Sequence, residues 1–256
     1  MDLGLSGRVF VVTGGSRGLA RAGAEALLAE GARVVLTGRD EARLIDAADE
    51  LAAVASPDRV AAVVADNADP AAAERLVATA LDTWGRLDGA LISVGGPAPG
   101  SAMEATDEQW RTAFEAVFLG AVRLTRSIVA ACDEGGAVAL VLSTSVKQPI
   151  GGLAISNGLR PGLAMVAKTL ADELGPRGIR VLGLMPGRVD TERVRQLDQL
   201  ADDPVAARAS GVAGIPLRRY GEPAEFGRVA AFLLSPAASY VTGVMLAVDG
   251  GATRSL

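Results

Sequence analysis

The stretch Val9-Phe10-Val11-Val12-Thr13-Gly14-Gly15-Ser16-Arg17-Gly18-Leu19-Ala20 decides the fold. Four consecutive apolar residues without polar alternation read as a strand covered on both faces. A glycine-rich turn follows, and helical character begins by Ala20 and runs to Ala29. Glycines at such a strand-to-helix turn let the backbone approach a pyrophosphate, whose charge meets the free N–H groups at the helix N-terminus. A tight turn with no ligand is the other reading of a bare glycine pattern. The strand before it and the helix after it favour the phosphate site.

Six further apolar runs have the same character: Val34–Leu36, Val60–Val64, Ala90–Ile92, Val138–Leu142, Ile179–Leu184 and Val244–Val248. Helical stretches lie among them at Glu41–Val54, Ala71–Trp84, Glu108–Ala131 and Asn157–Leu174. Strand alternating with helix predicts an α/β fold, a doubly wound parallel sheet in a three-layer, Rossmann-type sandwich. No linker-like segment interrupts the alternation, so residues 1–256 read as one domain. Regular signals lapse over Arg193–Arg219, and an irregular insertion after a strand's carboxyl end is expected to be a substrate lid.

Composition narrows the chemistry. The chain of 256 residues has no histidine, which removes Ser-His and Cys-His nucleophile pairs and histidine metal ligands. One cysteine, Cys132, makes neither an intramolecular disulfide nor a thiolate metal cage, so no metal is expected and the cytoplasm is the expected compartment. A net charge of −5 argues against nucleic-acid partners. No apolar run has the length to span a bilayer, so no membrane partner is expected.

The end of the second strand bears on which dinucleotide is bound. A site selecting NAD(H) places a carboxylate there for the ribose hydroxyls, whereas this chain has Thr37-Gly38-Arg39. Arg39 and Arg17 together suit the 2′-phosphate of NADP(H), because guanidinium geometry matches phosphate and the charge is permanent. Two solvated arginines are the alternative, and a register shifted to Asp40 would keep NAD(H) open.

With these residues in view, the chain resembles the short-chain dehydrogenase/reductase family over nearly its whole length, in the manner of the 3-oxoacyl-carrier-protein reductases. The resemblance rests on Thr13–Ala20, Asp66-Asn67, Pro186-Gly187-Arg188-Val189-Asp190-Thr191, and the ending from Pro216 to Gly251. It implies cofactor contacts from Gly14, Ser16, Arg17, Gly18, Leu19, Arg39, Asp66, Asn67, Ser93, Gly95, Pro186, Gly187, Val189 and Thr191. Asp66-Asn67 stands where the family binds adenine, and Pro186–Thr191 where it holds the nicotinamide carboxamide. Ser93-Val94-Gly95-Gly96 replaces the family's Asn-Asn-Ala-Gly.

The family's acid–base set is Ser, Tyr thirteen residues on, Lys four after that, and Asn from the preceding long helix. Counted from Gly136 without gaps, Ser143 keeps its place, while Ser156, Arg160 and Val117 stand for Tyr, Lys and Asn. An aliphatic hydroxyl is a far weaker acid than a phenol, and arginine stays charged, so neither copies its counterpart. The resemblance leaves Ser143 to polarise a carbonyl, Arg160 to bind ribose or an anion, and Lys147 as the nearby amine. Tyr220 and Tyr240 are expected to pack, and Arg193, Arg195 and Arg208 to lie on a mixed solvated surface among Glu192, Asp198, Asp202 and Asp203.

Two functions fit: an NADP(H)-dependent oxidoreductase acting on a small carbonyl or alcohol through an atypical acid–base site, or a cofactor-binding protein without turnover, a sensor or partner subunit. The resemblance further implies a homotetramer. Pro161 predicts a helix that starts near Leu159 or kinks at Pro161, leaving Ser156 off a regular helical face.

Overall fold

The computed structural model describes residues 2–133 and 135–255, so the two ends of the expected 1–256 domain fall outside the described residues. Seven parallel strands form one sheet in the order β3-β2-β1-β4-β5-β6-β7. They are β1 (Val9–Val12), β2 (Arg33–Gly38), β3 (Val60–Val64), β4 (Gly89–Ile92), β5 (Ala137–Val141), β6 (Arg180–Pro186) and β7 (Met245–Val248). All seven coincide with the expected apolar runs to within two residues. The central strands β1, β4 and β5 are buried throughout, whereas the edge strand β3 is only partly covered.

Parallel neighbours require crossovers, and helices supply them on both faces. Helices α1 (Gly18–Ala29), α2 (Glu41–Val54) and α9 (Pro223–Leu234) cover one face. Helices α3 (Ala72–Trp84), α5 (Gly120–Ala131) and α6 (Ala154–Leu174) cover the other. The short α4 (Asp107–Ala113) continues through a π-helical turn, Phe114–Leu119, directly into α5, which matches the single helix expected over 108–131. Helices α1 and α9 pack so closely that a Cβ at Gly227 would overlap the Ala22 carbonyl. Among the described residues no helix is long and apolar enough to cross a membrane.

Two expectations are corrected. The stretch 193–219 is not irregular: it holds α7 (Glu192–Asp198) and α8 (Pro204–Ala213), each started by a side-chain cap, Thr191 and Asp203. Both are short, and helices of that length depend on tertiary contacts that periodicity does not reveal. Likewise α6 begins at Ala154, five residues before the expected start, with Pro161 in its interior and Ser156 on the helix. The cost of the missing N–H is offset by burial of Ile155, Leu159, Leu163, Ala164, Ala167 and Ala171 along one face.

Strand order reverses between β1 and β4, on either side of which the crossovers run in opposite directions. At such a switch point the loops after adjacent strands diverge and open a crevice at their carboxyl ends. The turns after β1, β2, β4, β5 and β6 all discharge there.

Candidate functional site

The floor of the crevice is fixed by Thr13 at the end of β1. Its Oγ1 donates to the Ser93 carbonyl at 2.7 Å and accepts from the Ser93 N–H at 2.8 Å, which locks β1 to β4. Asn67 Nδ2 reaches the same carbonyl at 3.3 Å, bringing in the loop after β3. Gly14 and Gly18 both have φ of +63°, a conformation that side-chain-bearing residues adopt at a cost. Arg17, extended, is the N-cap of α1, yet no side chain caps the helix and its first turn contains no acid. The amino end of α1 is therefore left to an anion. Leu19 points the other way and packs against the core.

At the end of β2, Gly38 lies close against the glycine turn, and a Cβ there would come within 3.3 Å of the Ser16 hydroxyl. Arg39 is exposed and 3.8 Å from Asp66, and Arg17 is ion-paired with Glu192 at 2.6 Å. Asp40 does not face this corner as a free acid: its carboxylate accepts from the Arg43 N–H as the N-cap of α2. Asp66 also accepts from the Ala68 N–H at 2.9 Å.

The loop after β6 closes over the glycine turn. The Thr191 side chain accepts from the Val194 N–H and so caps α7, and its methyl lies 3.7 Å from the Cβ position at Gly18. Gly187 donates to the Val248 carbonyl, and a Cβ there would come 2.5 Å from that of Asp249, so only glycine fits after Pro186. Val189 is buried and bridges to Gly221. Gly95, by contrast, borders open space. The uncapped helix end and the positive-φ glycines fit the pyrophosphate of a nicotinamide dinucleotide.

Beyond β5 the arrangement changes character. Ser143 caps a 3₁₀ turn, its hydroxyl accepting from the Ser145 N–H at 3.1 Å. The buried Ser145 hydroxyl lies 3.4 Å from that of Ser156. One helical turn on, Arg160 is 4% exposed and donates to the Val141 carbonyl at 2.6 Å and the Val94 carbonyl at 3.3 Å. Its Nε has no partner, and burial pushes its pKa down to about 10, so it remains a cation at neutral pH. Val117, in the π turn, is 2% exposed in a small apolar cluster with Ala113, Ile155 and Leu159. Lys147 lies on the exposed side of the 3₁₀ turn. The site thus gathers hydroxyls, one buried guanidinium and an apolar wall.

Sequence reasoning missed Ser145, although it is two residues from Ser143, and misjudged Asp198. Asp198 is buried, not solvated: Arg188 donates to it at 2.8 Å and the Tyr220 hydroxyl at 3.3 Å. Arg208 stacks over the Tyr220 ring at 4.4 Å, and both Arg195 and Arg208 donate to Asp190. Arg193 reaches across the crevice and donates to the Pro97 carbonyl at 3.0 Å. Tyr220 packs as expected, but Tyr240 is fully exposed.

Residues 14–253 match the family described as enoyl-(acyl carrier protein) reductase. The chain is similar to the 3-oxoacyl-[acyl-carrier-protein] reductase of Salmonella typhimurium, with 30% identity over 97% of this chain and 98% of that protein. It is also similar to L-sorbose reductase from Gluconobacter frateurii, solved with NADPH and L-sorbose, at 33% identity and a TM-score of 0.94 with 100% of each chain covered. A short-chain dehydrogenase/reductase from Brucella melitensis matches at 30% identity and a TM-score of 0.92, again over 100% of each chain. On the sheet order, the glycine turn and these likenesses, the chain belongs to the short-chain dehydrogenase/reductase family of oxidoreductases.

Proposed function

We propose that the protein is an NADP(H)-dependent oxidoreductase acting on a small carbonyl or alcohol, with an acid–base site that departs from the family's. The observation that carries the cofactor choice is the corner after β2: Gly38 offers no carboxylate, Asp40 is engaged as a helix cap, Arg39 follows Gly38, and Arg17 follows the Ser16 that lies against it. The NADPH bound in the sorbose reductase of similar structure supports the same reading. Gly14, Ser16, Gly18 and the amino end of α1 would hold the pyrophosphate, Asp66 and Asn67 the adenine side, and Ser93, Gly95 and Pro186–Thr191 the nicotinamide side. A bound nicotinamide would supply or accept the hydride. Ser143 and Ser156 present hydroxyls that orient a substrate oxygen, the Val117 cluster excludes water, and the buried Arg160 charge favours an oxygen that gains negative charge. No tyrosine or lysine occupies the sequence positions from which the family moves its proton, so the proton comes from solvent through the serine hydroxyls.

Cofactor titration by nicotinamide fluorescence tests this reading, with a panel of carbonyl substrates following. Each charged phosphate contact is worth about 1.5–3 kcal/mol, so Arg39→Ala should weaken NADPH roughly ten-fold or more and leave NADH nearly unchanged. Equal affinity for both cofactors, or no loss in Arg39→Ala, would sink it.

A second reading, cofactor binding without turnover, is favoured by one observation: both Arg160 hydrogen-bonding arms are engaged by main-chain carbonyls. Stoichiometric NADPH binding with no oxidation by any carbonyl in the panel is its signature. The homotetramer implied by the resemblance fits the exposed Phe114 and Met165 on the long helices, 41% and 69% accessible. Light scattering giving the mass of a single 26.0 kDa chain would exclude it.

A further inference from the structure

We infer that Glu192 is a specificity-determining residue for the dinucleotide, occupying the guanidinium of Arg17 in competition with a 2′-phosphate and so tempering the preference for NADPH. The inference rests on the reading of Arg17 and Arg39 as the 2′-phosphate site.

Arg17 belongs to the glycine turn and Glu192 is the first residue of α7, 175 positions later, yet their Nη1 and Oε2 atoms are 2.6 Å apart. The root of the Glu192 side chain is held in place, because Thr191 caps α7 through the Val194 N–H and its methyl packs beside Gly18. The second carboxylate oxygen accepts from Gln196 Nε2 at 3.1 Å, which orients the group toward the turn. Among the described residues Glu192 is the one carboxylate within ion-pair reach of Arg17. The guanidinium holds the Glu192 carboxyl below its usual range, so it is an anion throughout the neutral region.

The other charges at this corner are themselves paired, Arg39 with Asp66 at 3.8 Å and Arg43 with Asp40 at 3.5 Å. Arg17 makes the closer of the two cross-loop pairs, 2.6 Å against 3.8 Å for Arg39, and a 2′-phosphate must take it from that partner. A half-exposed ion pair is weak, and a phosphate bearing nearly two charges prevails over one carboxylate. Glu192 nonetheless costs affinity twice, by holding the donor and by repelling the incoming anion. NADH carries the same pyrophosphate but no 2′-phosphate, so it does not compete for Arg17.

The test is a titration of NADPH and NADH, followed by nicotinamide fluorescence, on the wild type, Glu192→Gln, Arg17→Ala and the double variant. Both side chains are half exposed, so the variants should fold, and the thermal midpoint of each serves as the check. Glu192→Gln should tighten NADPH three- to ten-fold with less than two-fold change for NADH, and should have no effect in the Arg17→Ala background. Unchanged or weakened NADPH binding in Glu192→Gln, equal tightening of both cofactors, or tightening that persists without Arg17 overturns the inference. If Arg17→Ala weakens NADPH while Glu192→Gln does nothing, only this inference falls. If Arg17→Ala and Arg39→Ala both leave NADPH unaffected, the 2′-phosphate reading falls and takes this one with it.

Discussion

Arg160 on α6 donates to the main-chain carbonyl of Val141 at 2.6 Å, tying the helix to the carboxyl end of β5 through a guanidinium that meets no carboxylate among the described residues. A second bond, to the Val94 carbonyl, extends the tie to the loop after β4. One buried cation thereby fixes both walls of the crevice. An arginine in that position is a brace as well as a charge, because its planar fork reaches two acceptors where an ammonium is a single point.

Removal of the side-chain volume along with its hydrogen bonds should be costly, and removal of the hydrogen bonds and charge with the volume kept should cost less. Arg160→Ala leaves two carbonyls without their donor and opens a cavity, and the sum should lower stability by roughly 2–4 kcal/mol. Arg160→Met fills most of the volume and relieves the burial of charge, so its loss should stay under about 1.5 kcal/mol. Urea unfolding of the two variants side by side checks the order. Equal losses would show that the hydrogen bonds, not the volume, dominate.

Rebuilding the family's acid–base set should need the long helix as well. Ser156→Tyr with Arg160→Lys places a phenol and an amine beside an apolar cluster, and Val117 at 2% exposure offers them no polar partner. The double variant is expected to show little carbonyl reduction. Adding Val117→Asn should raise turnover at least ten-fold over the double. Because α6 is helical from Ala154, no replacement of Pro161 is required. Full activity in the double variant, measured as NADPH oxidation, would show that the cluster is no obstacle.

Acid should destabilise the carboxyl-terminal half through its arginine-paired carboxylates. Bidentate bonding to Arg219 holds the Glu225 carboxyl down at about 2, from 4.5. A carboxyl depressed on folding stabilises above its unfolded value, and that contribution is lost as pH falls from about 4.5 toward 2. Asp190, paired with Arg195 and Arg208, is shifted in the same direction. Urea midpoints collected from pH 6 to pH 2.5 should fall over that window, and Arg219→Gln should make the fall shallower. An unchanged slope in Arg219→Gln would assign the acid limb to other groups.

The sheet was legible in the sequence because a strand buried on both faces needs an unbroken apolar run, and the glycine turn because positive φ and close phosphate approach demand that residue type. Those are local requirements. Helices α7 and α8 escaped because each is too short to declare itself by periodicity and is held by Arg188, Asp198, Arg208 and Tyr220, residues that meet only in the folded chain. The late helix start read from Pro161 was misjudged for the converse reason: local propensity opposes helix there, and the buried face of α6 prevails. Which partners the site's charges find was decided by tertiary structure alone. Arg160 meets carbonyls 19 and 66 positions away, and Arg17 meets a carboxylate 175 positions away. Sequence sets which groups are available, but an ion pair or hydrogen bond is governed by distance and burial, and those are fixed only when the crossovers bring the strand ends together.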